Sequence, residues 1–377
     1  MSPRIDSERA VLKPVAIESP RKTPLLRLQN SRDRVLQPAS GRVRKGERHL
    51  SGCGGLTAPP SRRAAIYQAG KVLCVQQHLK RLAHLHLYQY NWPHQTDCKG
   101  DALMDLAPYQ HGISGDLDAW IDFNRTYAFQ APNGLDVVAP FPPKELIENT
   151  SGLTRQDHFA SHGCDILQAL SLASPQPLAS FSDILDFGVG VGRLARLFKG
   201  FRGKYTGVDV DARHVAWVAE NLGHVNALVT TPRKPFPFAG KRFDCVVSIS
   251  VFTHMNENDQ FFYLKELASI TRPGAILMLT VHGERALHRA ENEPDIFKML
   301  AIPARSVKLT RKLFADEGFS FILQNGHLTS SEYEYGITFT SETYIRRTWS
   351  QYFDVLQVVS GAIHDFQDIV VLQARKP

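Results

Sequence analysis

Asp186, Gly188, Gly190, Gly192 and Asp209 are the residues of this 377-residue chain whose types and spacing can do chemistry together. Ile184-Leu185-Asp186-Phe187 is a short apolar run of the kind that makes a buried strand, and three glycines follow it at alternate positions. Glycine turns tightly and lets a ligand approach with no Cβ in the way. Leu194-Ala195-Arg196-Leu197-Phe198 then reads as the opening of a helix. A strand, a turn and a helix would place backbone N–H groups and a positive dipole end at the carboxyl edge of a sheet. This predicts a small-molecule site above a parallel sheet.

The chemistry of the ligand follows from the acidic residues. The dinucleotide fingerprint is G-x-G-x-x-G, whereas the spacing here is G-x-G-x-G. Asp186 at the strand end would repel a pyrophosphate and welcome an amino group or a positive charge. That favours a nucleoside carrying an amino acid over a dinucleotide. Tyr205-Thr206-Gly207-Val208-Asp209 reads as a second strand, and an acidic residue about 20 positions on is placed to hold both ribose hydroxyls. A nicotinamide-dependent oxidoreductase is the competing reading, opposed by the third glycine and by Asp186. A binding protein that keeps the pocket without turnover is the other.

The blocks Asp186-Phe187-Gly188-Val189-Gly190-Val191-Gly192 and Gly207-Val208-Asp209 resemble the class I S-adenosylmethionine-dependent methyltransferases. Phe243-Asp244-Cys245-Val246-Val247-Ser248-Ile249-Ser250-Val251-Phe252-Thr253-His254-Met255 resembles their fourth strand, and Arg272-Pro273-Gly274 through Thr280 their turn into the fifth. The likeness covers roughly residues 143 to 377. It implies a doubly wound, mostly parallel, seven-stranded Rossmann-like α/β sheet with an antiparallel last strand. It implies S-adenosyl-L-methionine as cofactor, held by Asp186, Gly188, Gly190, Gly192, Asp209, Val210, Thr231, Ser250 and Val251. The acceptor is expected to be a small molecule or glycan, methylated on oxygen or nitrogen. The blocks Phe252-Thr253-His254, Thr280-Val281-His282-Gly283, Tyr335-Gly336-Ile337-Thr338-Phe339 and Gln367-Asp368-Ile369-Val370-Val371 are similar to those of bacterial enzymes, some linked with sugars.

A sulfonium methyl is already activated, so much of the rate can come from holding the acceptor in line and close. A hydroxyl acceptor needs a base as well. His254, just past the fourth strand, is the first candidate, then His282 at the end of the fifth, then Tyr335; the bland alternative for each is packing. No metal site is expected. His282, Glu284 and His288 form a trio better read as a solvated helix face, and His84 and His86 lack a carboxylate neighbour.

The elements that must position these residues read in order. Lys144 to Asn149 is a short helix after a proline start. Thr154-Arg155-Gln156-Asp157 is a candidate capping box for a helix reaching about Ala173, with Phe159, Ile166 and Leu170 on one stripe. Ala212 to Leu222 is helical, with Trp217 free to stack on a base or to join the core. Asn226 to Thr230 is the third strand, Cys245 to Ser250 the fourth, Asn258 to Ile270 an amphipathic helix, and Ala275 to Val281 the fifth strand after a turn at Pro273-Gly274. Gly283 to Thr340 is an insertion over the substrate edge. It holds a helix near residues 306 to 317 and alternating segments near 319 to 323 and 333 to 339. Ser341 caps a further helix, and residues 353 to 359 and 368 to 373 make the closing strand pair.

Residues 1–65 hold 14 Lys+Arg and 5 Asp+Glu, so the basic balance belongs to this end, the whole chain being +7. Residues 1–103 read as a basic, largely disordered extension, and 104–377 as the methyltransferase domain. Nucleic acid is expected to bind, if anywhere, only through that extension. No apolar run is long enough to span a membrane. Five cysteines without metal spacing, and the lack of an apolar leader segment, fit a cytoplasmic protein.

Overall fold

A computed structural model of the chain describes residues 114–238, 243–324 and 334–375. The basic extension, its histidines and Met104 lie outside them.

Among the described residues nine strands form one sheet: β1 (Asp183–Phe187), β2 (Lys204–Asp209), β3 (Val225–Val229), β4 (Phe243–Ser248), β5 (Thr271–His282), β6 (Phe319–Leu323), β7 (Gly336–Thr340), β8 (Phe353–Ile363) and β9 (Gln367–Ala374). The order β3-β2-β1-β4-β5 continues from β5 to β9 and β8, and from the end of β5 to β7 and β6. β1 pairs in parallel with β2 and β4, whereas β9 runs antiparallel to β5 and β8. All five residues of β1 are buried, as a central strand covered on both faces requires. Strands β1 to β5, β8 and β9 are the sheet expected from the sequence. The other two come from the insertion: β6 and β7 form an antiparallel pair, and β7 joins the end of β5 in parallel at His282 and Phe339.

The helices are α1 (Ser114–Arg125), α2 (Gly134–Val137), α3 (Lys144–Ser151), α4 (Gln156–Ala173), α5 (Ala212–Asn221), α6 (Glu257–Ile270), α7 (Glu284–Asn292), α8 (Pro294–Leu300), α9 (Ala304–Asp316) and α10 (Glu342–Thr348). Side chains set several starts by accepting a first-turn N–H: Asp211 from Arg213, Asn256 from Asp259 and Ser341 from Tyr344. α3 ends at Gly152 in the left-handed region, φ 68°, where glycine is the favoured residue.

Four sequence expectations are corrected. No α-helix follows the glycine turn; a 3₁₀ turn over Ala195–Phe198 is all that forms. Gly200, at φ 85°, ends it, and β2 begins a few residues later. The capping box does not form: α4 starts at Gln156 without a side-chain cap, because Asp157 is bound to Arg155. Pro273-Gly274 lies inside β5 as an irregularity in its register with β4 rather than ahead of the strand. β4 stops at Ser248, and Ser250 sits at φ 60°.

The sequence analysis assigned no element to the segment ahead of α3, yet it is bound tightly to the domain. Trp120, 2 % exposed, donates its indole N–H to the Leu197 carbonyl at 2.8 Å. Arg196 is as deeply buried and donates to the carbonyls of Pro140, at 2.7 Å, and Ala139. Its guanidinium lies 3.5 Å from the centroid of the Phe141 ring. Lys199 donates to Val137 O at 2.6 Å. The 3₁₀ turn is thus fixed by the chain before it.

Candidate active site

A cleft of about 320 Å³ opens at the carboxyl ends of β1, β2 and β4. The order of strands reverses at β1, and ligands of open α/β sheets bind at such a point. Of the residues singled out in the sequence, Asp186, Gly188, Gly190, Asp209, Val210, Ser250, Val251, His254 and Tyr335 line it together. Gly192, Thr231 and His282 do not.

The glycine turn is not an anion cradle. The N–H groups of Gly188 and Val189 both donate to Val208 O, at 2.8 and 3.0 Å, and that of Gly192 donates to Val189 O at 2.9 Å. The Gly190 N–H donates to Asp209 Oδ2 at 2.9 Å. These four donors are committed within the protein, and no helix dipole backs them. The expectation that the turn offers amide donors to a ligand is therefore corrected. What it allows is close packing of Val251 and Thr150 against the backbone at the cleft wall. A Cβ on Gly188, at φ 87°, would run into the Val251 side chain, and one on Gly190, at φ 53°, would lie 2.8 Å from Thr150 Cγ2. Gly192 serves packing, since a Cβ there would lie 2.6 Å from Leu222 Cδ1.

Two acidic side chains, Asp186 and Asp209, line the cleft beside the glycine turn. Asp209 is oriented by two amides, Gly190 N–H on Oδ2 and Asp211 N–H on Oδ1, each at 2.9 Å. Burial raises its pKa and the amides oppose that rise. Asp186, 2 % exposed, accepts from the Tyr205 hydroxyl at 2.8 Å. Burial pushes its pKa up to about 7 and the charge of Asp209 adds to this, against the Tyr205 bond and Arg193. Isolated carboxylates in apolar surroundings favour the neutral form, so both become better anions when a cationic ligand arrives.

His254, Tyr335, Ser250 and Val251 stand along another part of the wall. The His254 ring stacks on Tyr335, with centroids 4.6 Å apart and planes 13° from parallel. His254 Nδ1 is 2.8 Å from Gly336 O. Ser250 donates its N–H to Thr280 Oγ1 at 2.7 Å, and its hydroxyl accepts from the Gln367 amide at 2.8 Å. His282 is set behind this wall, 3 % exposed between Phe339 and Phe366, and burial pushes its pKa down to about 3. Glu284 is paired with Arg311 at 2.6 Å, so it does not converge with His282 and His288. Among the described residues no group of three metal-ligating side chains is found.

Sequence reading missed Arg193, Thr150, His214 and Arg233, which also line the cleft. Thr150 Oγ1 and His214 Nε2 lie 3.3 Å apart, tying α3 to α5 beside the glycine turn. Arg233 replaces Thr231 at the wall, with a left-handed backbone at φ 57° and a bidentate pair to Asp259 at 2.5 and 3.0 Å. Asp211 and Asp209 in one short run, followed by Arg213, were the only local sign of this charge cluster. Trp217 packs against Ile147, Phe159 and Val191 and is not among the cleft residues.

The sheet order, the reversal at β1 and a cleft lined by carboxylates, with the turn amides already bonded, define a doubly wound α/β fold. The family model described as a methyltransferase domain matches residues 185–279. That match supports the class I S-adenosylmethionine-dependent methyltransferase domain expected from the sequence, and S-adenosyl-L-methionine as the cofactor of that domain. Among solved structures, the chain is similar to a protein from Pyrococcus horikoshii OT3, at 16 % identity over 62 % of this chain and 100 % of that one, TM-score 0.44. An S-adenosylmethionine-dependent methyltransferase from Methanosarcina mazei matches at 16 % identity over 52 % of this chain and 94 % of that one, TM-score 0.38. The glycopeptide N-methyltransferase MtfA, complexed with S-adenosylhomocysteine, matches at 17 % identity over 56 % and 86 %, TM-score 0.37.

Proposed function

We propose that this protein transfers a methyl group from S-adenosyl-L-methionine to a small-molecule or glycan acceptor, on oxygen or nitrogen. The observation that carries this reading is the pairing of committed glycine amides with two carboxylates, the buried Asp186 and the half-buried Asp209. That donor set suits a ligand with hydroxyls and positive charge and suits a pyrophosphate poorly.

In this reading Asp209 accepts from the ribose hydroxyls and Asp186 attracts the amino group. Gly188, Gly190 and Val251 shape the channel for the amino-acid part, and Val210 and Ser250 complete its walls. Gly192, Thr231 and His282 act from outside the cleft, by holding the residues that line it. The cofactor supplies an electrophilic methyl carbon on a sulfonium. His254 and Tyr335 stand on the acceptor side and orient the incoming nucleophile. Positioning of that kind accounts for much of the rate in such transfers.

A thermal-shift panel tests the reading. S-adenosylhomocysteine should raise the melting temperature by several degrees, as ligand linkage requires at roughly 100 times Kd, and NAD should not. Stabilisation by NAD alone would refute it.

A further inference from the structure

One wall of the cleft runs from the turn after β3 to the insertion, by way of the first turn of α6. Thr230 donates its N–H to Asp209 O at 2.8 Å, which sets this turn beside the carboxyl end of β2. Arg233, three residues on, has a left-handed backbone at φ 57°, a region that a side-chain-bearing residue keeps only when its surroundings hold it there. Two residues of α6 do so. The Arg233 N–H donates to the Tyr263 hydroxyl at 3.2 Å, and the guanidinium makes its bidentate pair with Asp259, which is 4 % exposed.

Asn256 joins this corner to the insertion. Its Oδ1 accepts the Asp259 N–H at 2.9 Å, as the cap of α6, and its Nδ2 donates to Glu334 Oε2 at 2.9 Å. An N–H needs an acceptor and a carboxylate needs a donor, so the amide has a single orientation that serves both. The charge of Glu334 also acts on Arg233, adding to the hold of Asp259 on the guanidinium. Arg233 and Asp259 line the cleft at one end of this chain of bonds, and Tyr335, next to Glu334, lines it at the other. The Thr338 hydroxyl donates to Met255 O at 2.6 Å, a separate tie between the insertion and the same wall.

We propose that the chain Arg233–Asp259–Asn256–Glu334 couples the two ends of the cleft, so that filling the cofactor end steadies the insertion on the acceptor side. This rests on the methyl-transfer reading above. In that reading the ribose hydroxyls go to Asp209, and Arg233 and Asp259 are the neighbouring wall. A ligand there would exclude water from the guanidinium–carboxylate pair, and a pair shielded from water attracts more strongly. A fixed Asp259 holds the Asn256 amide in its one orientation, and the amide holds Glu334 and the strand β7 that follows. Asn256, Asp259 and Glu334 are positioning residues. Coupling of this kind is reciprocal, so cutting the chain also weakens the ligand.

Amide hydrogen exchange of the full-length protein, with and without saturating S-adenosylhomocysteine, tests this. The ligand should slow exchange in β1 and β2 and also, by about fivefold or more, in β7. Asn256→Asp keeps an acceptor for the Asp259 N–H but sets a carboxylate against Glu334. It should leave the slowing in β1 and β2, abolish it in β7, and weaken S-adenosylhomocysteine by about fivefold in calorimetry. The double variant Asn256→Asp with Glu334→Gln exchanges the amide and the carboxylate and should restore both effects. Slowing in the wild type that does not reach β7 overturns the proposal. So does an Asn256→Asp protein in which β7 still responds or the affinity is unchanged. Failure of the wild type to bind S-adenosylhomocysteine at all would instead refute the methyl-transfer reading.

Discussion

Asp209, Gly190 and Asp186 carry the cofactor account at the scale of single residues. Asp209→Ala removes charge-assisted bonds to a ribose, each contributing roughly 1.5–3 kcal/mol when buried. Calorimetry should show affinity for S-adenosylmethionine falling at least tenfold, and an unchanged affinity would remove Asp209 from the site. Gly190→Val should leave the fold mostly intact and abolish binding. The residue sits at φ 53°, and its first side-chain carbon would already lie 2.8 Å from Thr150 Cγ2. Normal binding by a folded variant would contradict the placement. Asp186 makes a prediction about pH. Its folded pKa of about 7 lies above that of an unfolded aspartate, so the protonated form is the one the apo fold favours. The stabilisation is present in acid and is lost as pH rises from about 4 through 7, a change on the order of 4 kcal/mol. Asp368, held at about 6 by burial, acts in the same sense. Asp186→Asn should therefore gain stability over the wild type as pH rises from 5 to 8, measured by denaturant unfolding without ligand, while losing cofactor affinity. A stability difference that does not vary with pH would exclude a perturbed Asp186.

At the scale of elements, the strands were the legible part. Apolar runs such as Ile184–Phe187 and Cys245–Ser248 can hardly be anything but buried strands, and the acidic residue ending β2 follows from the same pattern. The irregular parts were not legible, for physical reasons. Whether Leu194–Phe198 makes a helix depends on Gly200 and on the short distance to β2, not on propensity. Ser250 and Arg233 adopt left-handed backbones that no residue preference announces. The cleft residues Thr150 and Arg193 are brought there by tertiary packing. The helix in the segment over 114–141 was missed although Leu117, Trp120 and Ile121 stand at helical spacing and join the core, whereas the bonds of Arg196 to Ala139 O and Pro140 O leave no local sign. Arg196→Leu would leave two carbonyls unpaired, at about 1–3 kcal/mol each. It should destabilise the protein by about 3 kcal/mol, read as a lowered denaturation midpoint, and less than 1 kcal/mol would show that the segment is not held this way.

For the whole molecule, every cofactor block lies beyond Met104, and the positive excess lies within residues 1–65. A chain beginning at Met104 keeps α1, with Trp120 and its bond to Leu197, and should fold and bind S-adenosylmethionine with near full-length affinity. A chain beginning at Lys144 loses that packing and should be insoluble or markedly unstable. If the basic extension is an arm for anions, only salt-sensitive binding to nucleic acid should separate the full chain from the Met104 start. Loss of cofactor affinity in the Met104 chain would show that the first 103 residues belong to the domain. The central claim is that the cleft at β1, β2 and β4 holds S-adenosylmethionine through Asp186 and Asp209. Calorimetric titration of the full-length protein with S-adenosylhomocysteine and with NAD, repeated on Asp209→Ala, tests it most directly. One-site binding of S-adenosylhomocysteine that weakens at least tenfold in the variant, with none of NAD, is the predicted result. Binding of NAD, or binding of S-adenosylhomocysteine that the variant leaves unchanged, would contradict it.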